Sequence, residues 1–360
     1  MRIIIPIVSF GKGGGNRVLS ELSNSWIDAG VEVIFICFGN SEDPYFKTNA
    51  KIIWIDYNGN QLDDSTFRIR NKENLVRRVI ALTKALNRYT LDGDIVLANE
   101  AVTAYPVSFM KRKAKKVYYI QADEADYSFF YSSLKSKLMG LISYLTYYLP
   151  LIRVVNSPLY YRYNNIRSKF YIPPGMDFEK FRPNDTPKEM TPFIIGCIGR
   201  FEKFKGTADV LQAFKLLVDS GYNVILKVAY GDNSSIEEKY LDKIEVIIPK
   251  NDIELGYFYR SLNVLISTGL VQHYAHHYPV MEAMACEIPT ITTGYLPATK
   301  ANSWLVGPNS PSCIMKSVKF LYDINNQAIV EEKISLAYKE VQAYGWPTVS
   351  REFLEILKEV

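Results

Sequence analysis

His277-Tyr-Pro-Val-Met-Glu-Ala-Met-Ala-Cys286, followed by Glu287-Ile-Pro-Thr-Ile-Thr-Thr293, spells a turn, a short helix and a strand in succession. Pro279 opens the helix and places Glu282 in its first turn, while Met281, Met284 and Ala285 fall at i, i+3 and i+4 on one apolar face. After Pro289 the β-branched run 290–293 predicts a strand. The pattern sets one carboxylate at a helix start, at the carboxyl end of a sheet, where open α/β folds hold their ligands. A carboxylate there accepts two hydrogen bonds from a sugar diol such as a ribose. Such a half-site asks for a phosphate cradle.

Upstream, Phe193-Ile-Ile-Gly-Cys-Ile-Gly-Arg-Phe-Glu-Lys-Phe-Lys-Gly206 runs from a buried strand into a loop carrying Arg200, Lys203 and Lys205. A helix is predicted over 207–218, capped by Thr207, with Val210, Phe214 and Leu217 inward. Cations beside a helix N-terminus form an anion site; Arg offers a planar fork and Lys a point charge. A solvated basic loop is the plain alternative, and the company of the Glu282 element decides against it.

These two elements resemble the C-terminal domain of retaining glycosyltransferases of family 4 (glycosyl transferases group 1), which have the GT-B fold. The family pattern is an Arg and a Lys separated by four residues, here Arg200 and Lys205. Two Glu separated by seven residues follow, before an Ala-Met-Ala helix. Ile172-Pro-Pro-Gly-Met-Asp177 with Phe181-Arg-Pro183, Val155-Asn-Ser157 and Gly13-Gly-Gly-Asn-Arg17 fit the same family in the same order. The resemblance spans nearly the whole chain. It implies an α/β protein of two Rossmann-like doubly wound domains facing each other across a deep cleft: 1–185 on the acceptor side, 186–342 for the nucleotide sugar, and 343–360 as a helix returning to the first.

One departure stands out. Tyr274 occupies the position of the family's first Glu, eight residues before Glu282, and Tyr274-Ala-His-His277 replaces the usual Glu-Gly-Phe-Gly. Tyr274, His276, His277 and neighbouring Tyr278 all carry hydrogen-bonding groups, so the reading is a rebuilt donor-sugar pocket. The three histidines of the chain, His273, His276 and His277, cluster here, yet no Cys or carboxylate lies beside them at zinc-ligand spacing. No metal site and no cofactor are expected, the nucleotide sugar being a substrate.

The chain has 360 residues, 48% of them apolar and 22% charged, enough for two globular domains with separate cores. A formal charge of +4 is too mild for nucleic acid but has the sign for anionic donors or membranes. The four cysteines are scattered and read as buried thiols of a reducing compartment. The first residues begin a strand at once, which with that composition reads as a cytoplasmic protein.

The first half alternates strands and helices: strand 2–8, the loop 11–15, a helix over 16–29 with Leu19, Leu22 and Trp26 on one face and Gly30 as C-cap, then strand 31–37. Gly13, Gly14 and Gly15 let backbone N–H groups approach a phosphate or sugar, or simply make a tight turn; by resemblance they close over the donor. Strands follow at 51–56, 94–98 and 116–121, with a helix at 71–88. By resemblance the loop after 121 faces the donor sugar, which makes Gln121, Asp123 and Glu124 the acceptor-side candidates. Segment 134–155 is apolar but interrupted by Lys135, Lys137, Pro150 and Arg153, and 111–116 is basic at five of six positions. Together they read either as a seat on an anionic membrane surface or as a solvated charge run beside a core helix. The second half predicts strands at 193–198, 223–229, 244–248, 263–267 and 290–293 and helices at 207–218, 252–260, 279–286, 311–323 and 327–342. By family analogy the loop with Pro249 and Lys250 reads the nucleotide base.

The function implied is transfer of a sugar from a nucleotide sugar to a glycan or lipid-linked acceptor, with retention and without metal. Arg200 and Lys205 would meet the leaving diphosphate and Glu282 the ribose. A sugar-nucleotide epimerase and a non-catalytic sugar-nucleotide-binding scaffold are the alternatives, the second motivated by Tyr274.

Overall fold

The computed structural model describes residues 1–63, 74–162, 166–184, 191–199, 202–231 and 237–360, with backbone alone at 161 and 162. Arg200 and the first turn of the helix expected from 71 lie outside these residues. The chain divides into two compact units, one of Met1–Gly175 with Trp346–Val360 and the other of Met176–Gly345.

In the first unit come β1 (Arg2–Ile7), α1 (Gly14–Asp28), β2 (Glu32–Phe38), β3 (Lys51–Ile55), α2 (Leu75–Tyr89), β4 (Ile95–Ala98), α3 (Ala101–Phe109), β5 (Lys115–Ile120), α4 (Glu124–Phe129), α5 (Leu134–Thr146), β6 (Ile152–Val155) and β7 (Phe170–Tyr171). The strands are parallel in the order β3-β2-β1-β4-β5-β6-β7. Ile3, Ile4, Ile5 and Val96, Leu97, Ala98 are wholly buried, as parallel strands covered on both faces require. Leu19, Leu22 and Trp26 bury the predicted face of α1, and Gly30 follows that helix at φ 81°, the left-handed conformation expected of it.

The second unit holds β8 (Phe193–Ile198), α6 (Thr207–Asp219), β9 (Val224–Ala229), β10 (Ile244–Ile247), α7 (Asp252–Arg260), β11 (Val264–Ser267), α8 (Tyr278–Ala285), β12 (Thr290–Thr292), β13 (Trp304–Leu305), α9 (Pro311–Tyr322) and α10 (Gln327–Val341). Its parallel sheet runs β10-β9-β8-β11-β12-β13. Strand order reverses beside β8 in this sheet and beside β1 in the first. Both are doubly wound, Rossmann-like sheets with a switch point at those strands. The last helix, α11 (Trp346–Glu359), belongs to the first unit. There Trp26 and Phe353 meet edge to face at 5.5 Å, and the Trp26 indole donates to the Ser350 carbonyl at 3.0 Å.

Several expectations are corrected. The break between units comes at 175/176 rather than 185/186, because Phe181 is buried against Tyr259 of the second unit. Residues 343–345 likewise stay with that unit. The N-cap of α6 is Gly206, not Thr207, which is the first helical residue. Helix α8 starts at Tyr278, so Glu282 falls in its second turn and not its first. The loop expected after Gln121 becomes α4 within a few residues, and 134–155 divides into α5 and β6. Cys37, Cys197 and Cys286 are buried thiols as expected, but Cys313 is exposed. Among the described residues no helix is long and apolar enough to cross a membrane.

Candidate functional site

The candidate donor site is built in the second unit at the carboxyl ends of β8 and β11, the strands that flank the switch point. After β8 the chain turns through Lys203–Lys205 to Gly206 at φ 74° and ψ 13°, then enters α6. A Cβ at Gly206 would lie 1.5 Å from the Thr268 carbonyl oxygen, so only glycine fits. The loop is tied to the chain beyond β11 by Leu270 N–H donating to the Phe204 carbonyl at 2.7 Å and Thr268 Oγ1 donating to the Gly206 carbonyl at 3.4 Å. Buried Phe204 anchors it, and Lys205 Nζ stands 5.3 Å from that ring's centre. No side chain caps α6, and a helix start of this kind is where an anion is held.

Lys205, Thr207, Ser267, Thr268, His277 and Pro279 together line a cavity of about 50 Å³. Whole-ligand pockets run roughly 300–1,000 Å³, so this recess suits phosphate oxygens rather than an entire donor. His277 Nδ1 lies 3.1 Å from Ser267 Oγ and its ring stacks on Tyr295 at 4.4 Å. His277 and Lys205 line the same recess. His276 meets Tyr344 edge to face, and His273 Nε2 contacts the Leu270 carbonyl. The three imidazoles therefore serve different partners. Among the described residues no group of three or more His, Cys, Asp or Glu could hold a metal ion.

Tyr274 is 52% exposed and sits at φ 71°, with its N–H bonded to the Gly294 carbonyl and its ring beside Gly294. Its left-handed backbone aims the phenol outward at the end of β12. Tyr278 starts α8. Glu282 is 1% exposed and accepts from the Tyr259 hydroxyl at 2.7 Å, a partner on α7 that the sequence did not single out. It is oriented from inside the fold rather than presented at a helix tip. Pro249 is buried and Lys250 exposed after β10. The Lys250 N–H donates to Glu254, whose own N–H is capped by Asn251, so this loop is pinned to the start of α7.

In the first unit, Gly13 is the extended N-cap of α1, and Gly14 and Gly15 are its first helical residues, with no side-chain cap. A Cβ on Gly15 would meet the Gln121 amide at 3.3 Å, and Gln121 donates to the Gly15 carbonyl at 3.4 Å. These two candidates are thus brought together. Asp123 caps α4 by accepting from Ala125 and Asp126 N–H, and also accepts from the Tyr147 hydroxyl at 2.8 Å. Burial pushes its carboxyl up while those bonds pull it down. Glu124 accepts from Ala101 N–H at 2.9 Å at the start of α3. Burial, and next the charge of Glu100, push its carboxyl up to about 8. Glu100 accepts from Val8 N–H and is itself raised by burial. The sequence reading missed Glu100, although a polar pair closing a buried strand, Asn99-Glu100 after β4, was the available signal. Ser267 at the end of β11 carries the same signal.

Residues 178–342 match the family described as Glycosyl transferases group 1. A capsular polysaccharide biosynthesis glycosyltransferase, CapM of Staphylococcus aureus, is 33% identical over 132 residues, covering 33% of this chain and 34% of that protein. The chain spans about a third to a half of the length of the curated relatives it matches. Among solved structures, a sucrose-phosphate synthase from Thermosynechococcus elongatus superposes with a TM-score of 0.77 at 15% identity, covering 100% of this chain and 98% of that one. Anabaena HepE in complex with UDP-glucose gives 0.73 at 15%, covering 100% of both. Whole-chain likeness to these structures and two doubly wound parallel sheets make the fold GT-B, as expected. The stretch that matches the group 1 family, 178–342, takes in nearly all of the second unit.

Proposed function

We propose that the protein is a retaining, metal-independent glycosyltransferase that moves a sugar, a hexose in the first instance, from a nucleotide sugar to a glycan or lipid-linked acceptor in polysaccharide or glycoconjugate assembly. The observation that carries this reading is the recess at the switch point, where Lys205, the uncapped start of α6, Ser267, Thr268 and His277 converge. Lys205, with Arg200 from the same loop, neutralises charge on the departing diphosphate, which is electrostatic stabilisation of the transition state. The start of α6 supplies N–H groups to the same phosphates. Glu282, held by Tyr259, accepts from the ribose, and the loop of Pro249 and Lys250 borders the base. Tyr274 takes the place of a carboxylate against the donor sugar. In the first unit Gly13–Gly15 offer helix-start N–H groups, and Gln121, Asp123 and Glu124 stand on the acceptor side.

In the step itself the bond from the anomeric carbon to the β-phosphate oxygen breaks and a bond to the acceptor oxygen forms on the same face. The acceptor's proton passes to the departing phosphate, so no separate side-chain base is needed. An anionic membrane surface is a further partner in this reading, the seat from which a lipid-linked acceptor is met.

The test is thermal stability against a panel of nucleoside diphosphates and their sugars, UDP-hexoses first because HepE holds UDP-glucose. Selective binding raises the melting temperature by mass action. A shift with one sugar nucleotide, lost in Arg200→Ala and in Lys205→Ala, is the expected result. No shift with any nucleotide sinks the donor site. A shift without transfer to any acceptor favours the binding scaffold instead, and epimerisation without acceptor favours the epimerase.

A further inference from the structure

Helix α5 buries its small side and exposes its large one. Its buried residues are Gly140, Ser143 and Thr146, while Leu134, Leu138, Leu141 and Leu145 are 85, 57, 49 and 49% exposed. Spaced at i, i+4, i+7 and i+11, these leucines share one face of the helix. Tyr148, 61% exposed, extends the stripe past the helix end. A contiguous apolar surface of this kind marks an interaction site.

The segment that carries the stripe has charge of one sign. From Tyr127 to Met176 the chain has no Asp or Glu and six Lys or Arg. Lys135 and Lys137 are exposed near the start of α5. Beyond its end a cavity of about 670 Å³ is lined by Tyr144, Tyr147, Tyr148, Pro150, Arg153 and Arg167. Arg153 donates to the Tyr147 carbonyl, and the Tyr144 and Tyr148 hydroxyls lie 2.8 Å apart. Burial first, and the Arg167 charge second, lower the Arg153 pKa from its ordinary value. Two guanidinium groups and two phenols on one recess form a phosphate-binding set.

We infer that α5 and this recess dock the protein on an anionic lipid bilayer, the leucine stripe entering the acyl boundary while Arg153 and Arg167 hold the phosphate of one lipid. An apolar stripe with Lys135 and Lys137 at its start and Arg153 and Arg167 beyond its end matches an anionic leaflet in both respects, whereas a protein partner would have to supply acidic groups around an apolar groove. Tyr147 connects this surface to the acceptor-side residues: its carbonyl takes Arg153 and its hydroxyl donates to Asp123. The inference rests on the membrane part of the proposed function and is independent of donor chemistry.

The experiment is co-sedimentation of the whole protein with vesicles of phosphatidylcholine alone or with a third phosphatidylglycerol, with the donor thermal shift recorded on the same preparations. The wild type partitions to the anionic vesicles, and Leu138→Gln with Leu141→Gln lowers that partitioning more than tenfold. Arg153→Gln with Arg167→Gln lowers it about thirtyfold, from roughly 1 kcal/mol per cation at the surface, and leaves the donor shift unchanged. Equal or absent binding to both vesicle types overturns the inference, as does binding that ignores all four substitutions. Stabilisation by inorganic phosphate through the arginines, without vesicle binding, would assign the recess to a free anion. A dimer that the leucine substitutions dissociate, again without vesicle binding, would assign the stripe to a second copy. In each of these cases an intact donor shift leaves the transferase reading standing.

Discussion

Replacing Gly206 by Ala tests the loop that positions Lys205. The residue sits at φ 74°, which costs an L side chain about 1–2 kcal/mol. The new Cβ would also lie 1.5 Å from the Thr268 carbonyl oxygen, a backbone atom that cannot swing aside. Relief requires the loop to leave β11, which breaks the bonds from Leu270 to Phe204 and from Thr268 to Gly206. At about 1 kcal/mol each, these bring the expected loss to roughly 3–4 kcal/mol. Gly221 provides the internal control. It has φ 83° in the same unit and nothing within 4 Å of a built Cβ, so Gly221→Ala should cost only the conformational part. Urea denaturation reads the two stabilities, and titration with the donor identified by thermal shift reads the site. Gly206→Ala should be about 2 kcal/mol less stable than Gly221→Ala, the share of the two hydrogen bonds, and should bind donor far more weakly. Equal losses in the two variants would refute the close approach to Thr268. A folded Gly206→Ala protein with unchanged donor affinity would refute the phosphate-cradle reading.

Tyr259→Phe removes the hydroxyl that Glu282 accepts at 2.7 Å while keeping the ring. A buried carboxylate losing a partner should cost about 1.5–3 kcal/mol by urea denaturation, with weaker donor binding; a cost near zero would mean that other groups orient Glu282. Glu124 keeps its proton to about pH 8 when folded, against an ordinary 4.5. Between those values the folded state binds the extra proton, so stability falls as pH rises, by at most about 1.4 kcal/mol per pH unit. Glu124→Gln should flatten that decline between pH 5 and 8, as denaturation midpoints will record. Phe353→Ala opens a cavity beneath Trp26, where Phe353 is wholly buried, and should cost about 3–5 kcal/mol. A much smaller loss would show that α11 contributes little to the first unit.

Much of this protein was written locally. The alternation of buried runs such as Ile3–Ile5 with amphipathic stretches bearing Leu19, Leu22 and Trp26 depends on residues a few positions apart, and so do the glycine after α1 and the cationic loop after β8. Local periodicity and turn chemistry therefore determined the βα rhythm and, through it, the doubly wound class. The boundaries that slipped did so where neighbours in space outweighed neighbours in sequence: Phe181 goes with the second unit because Tyr259 is there, and α8 takes up Tyr278, which puts Glu282 in its second turn. Only the tertiary structure decided which strand lies beside which, that Gly206 presses on Thr268, that Glu282 meets Tyr259, and that α5 turns its leucines outward and its Gly140, Ser143 and Thr146 inward. Those facts join residues tens of positions apart, or oppose the polarity that periodicity alone would assign, and packing of the whole unit is what selects them.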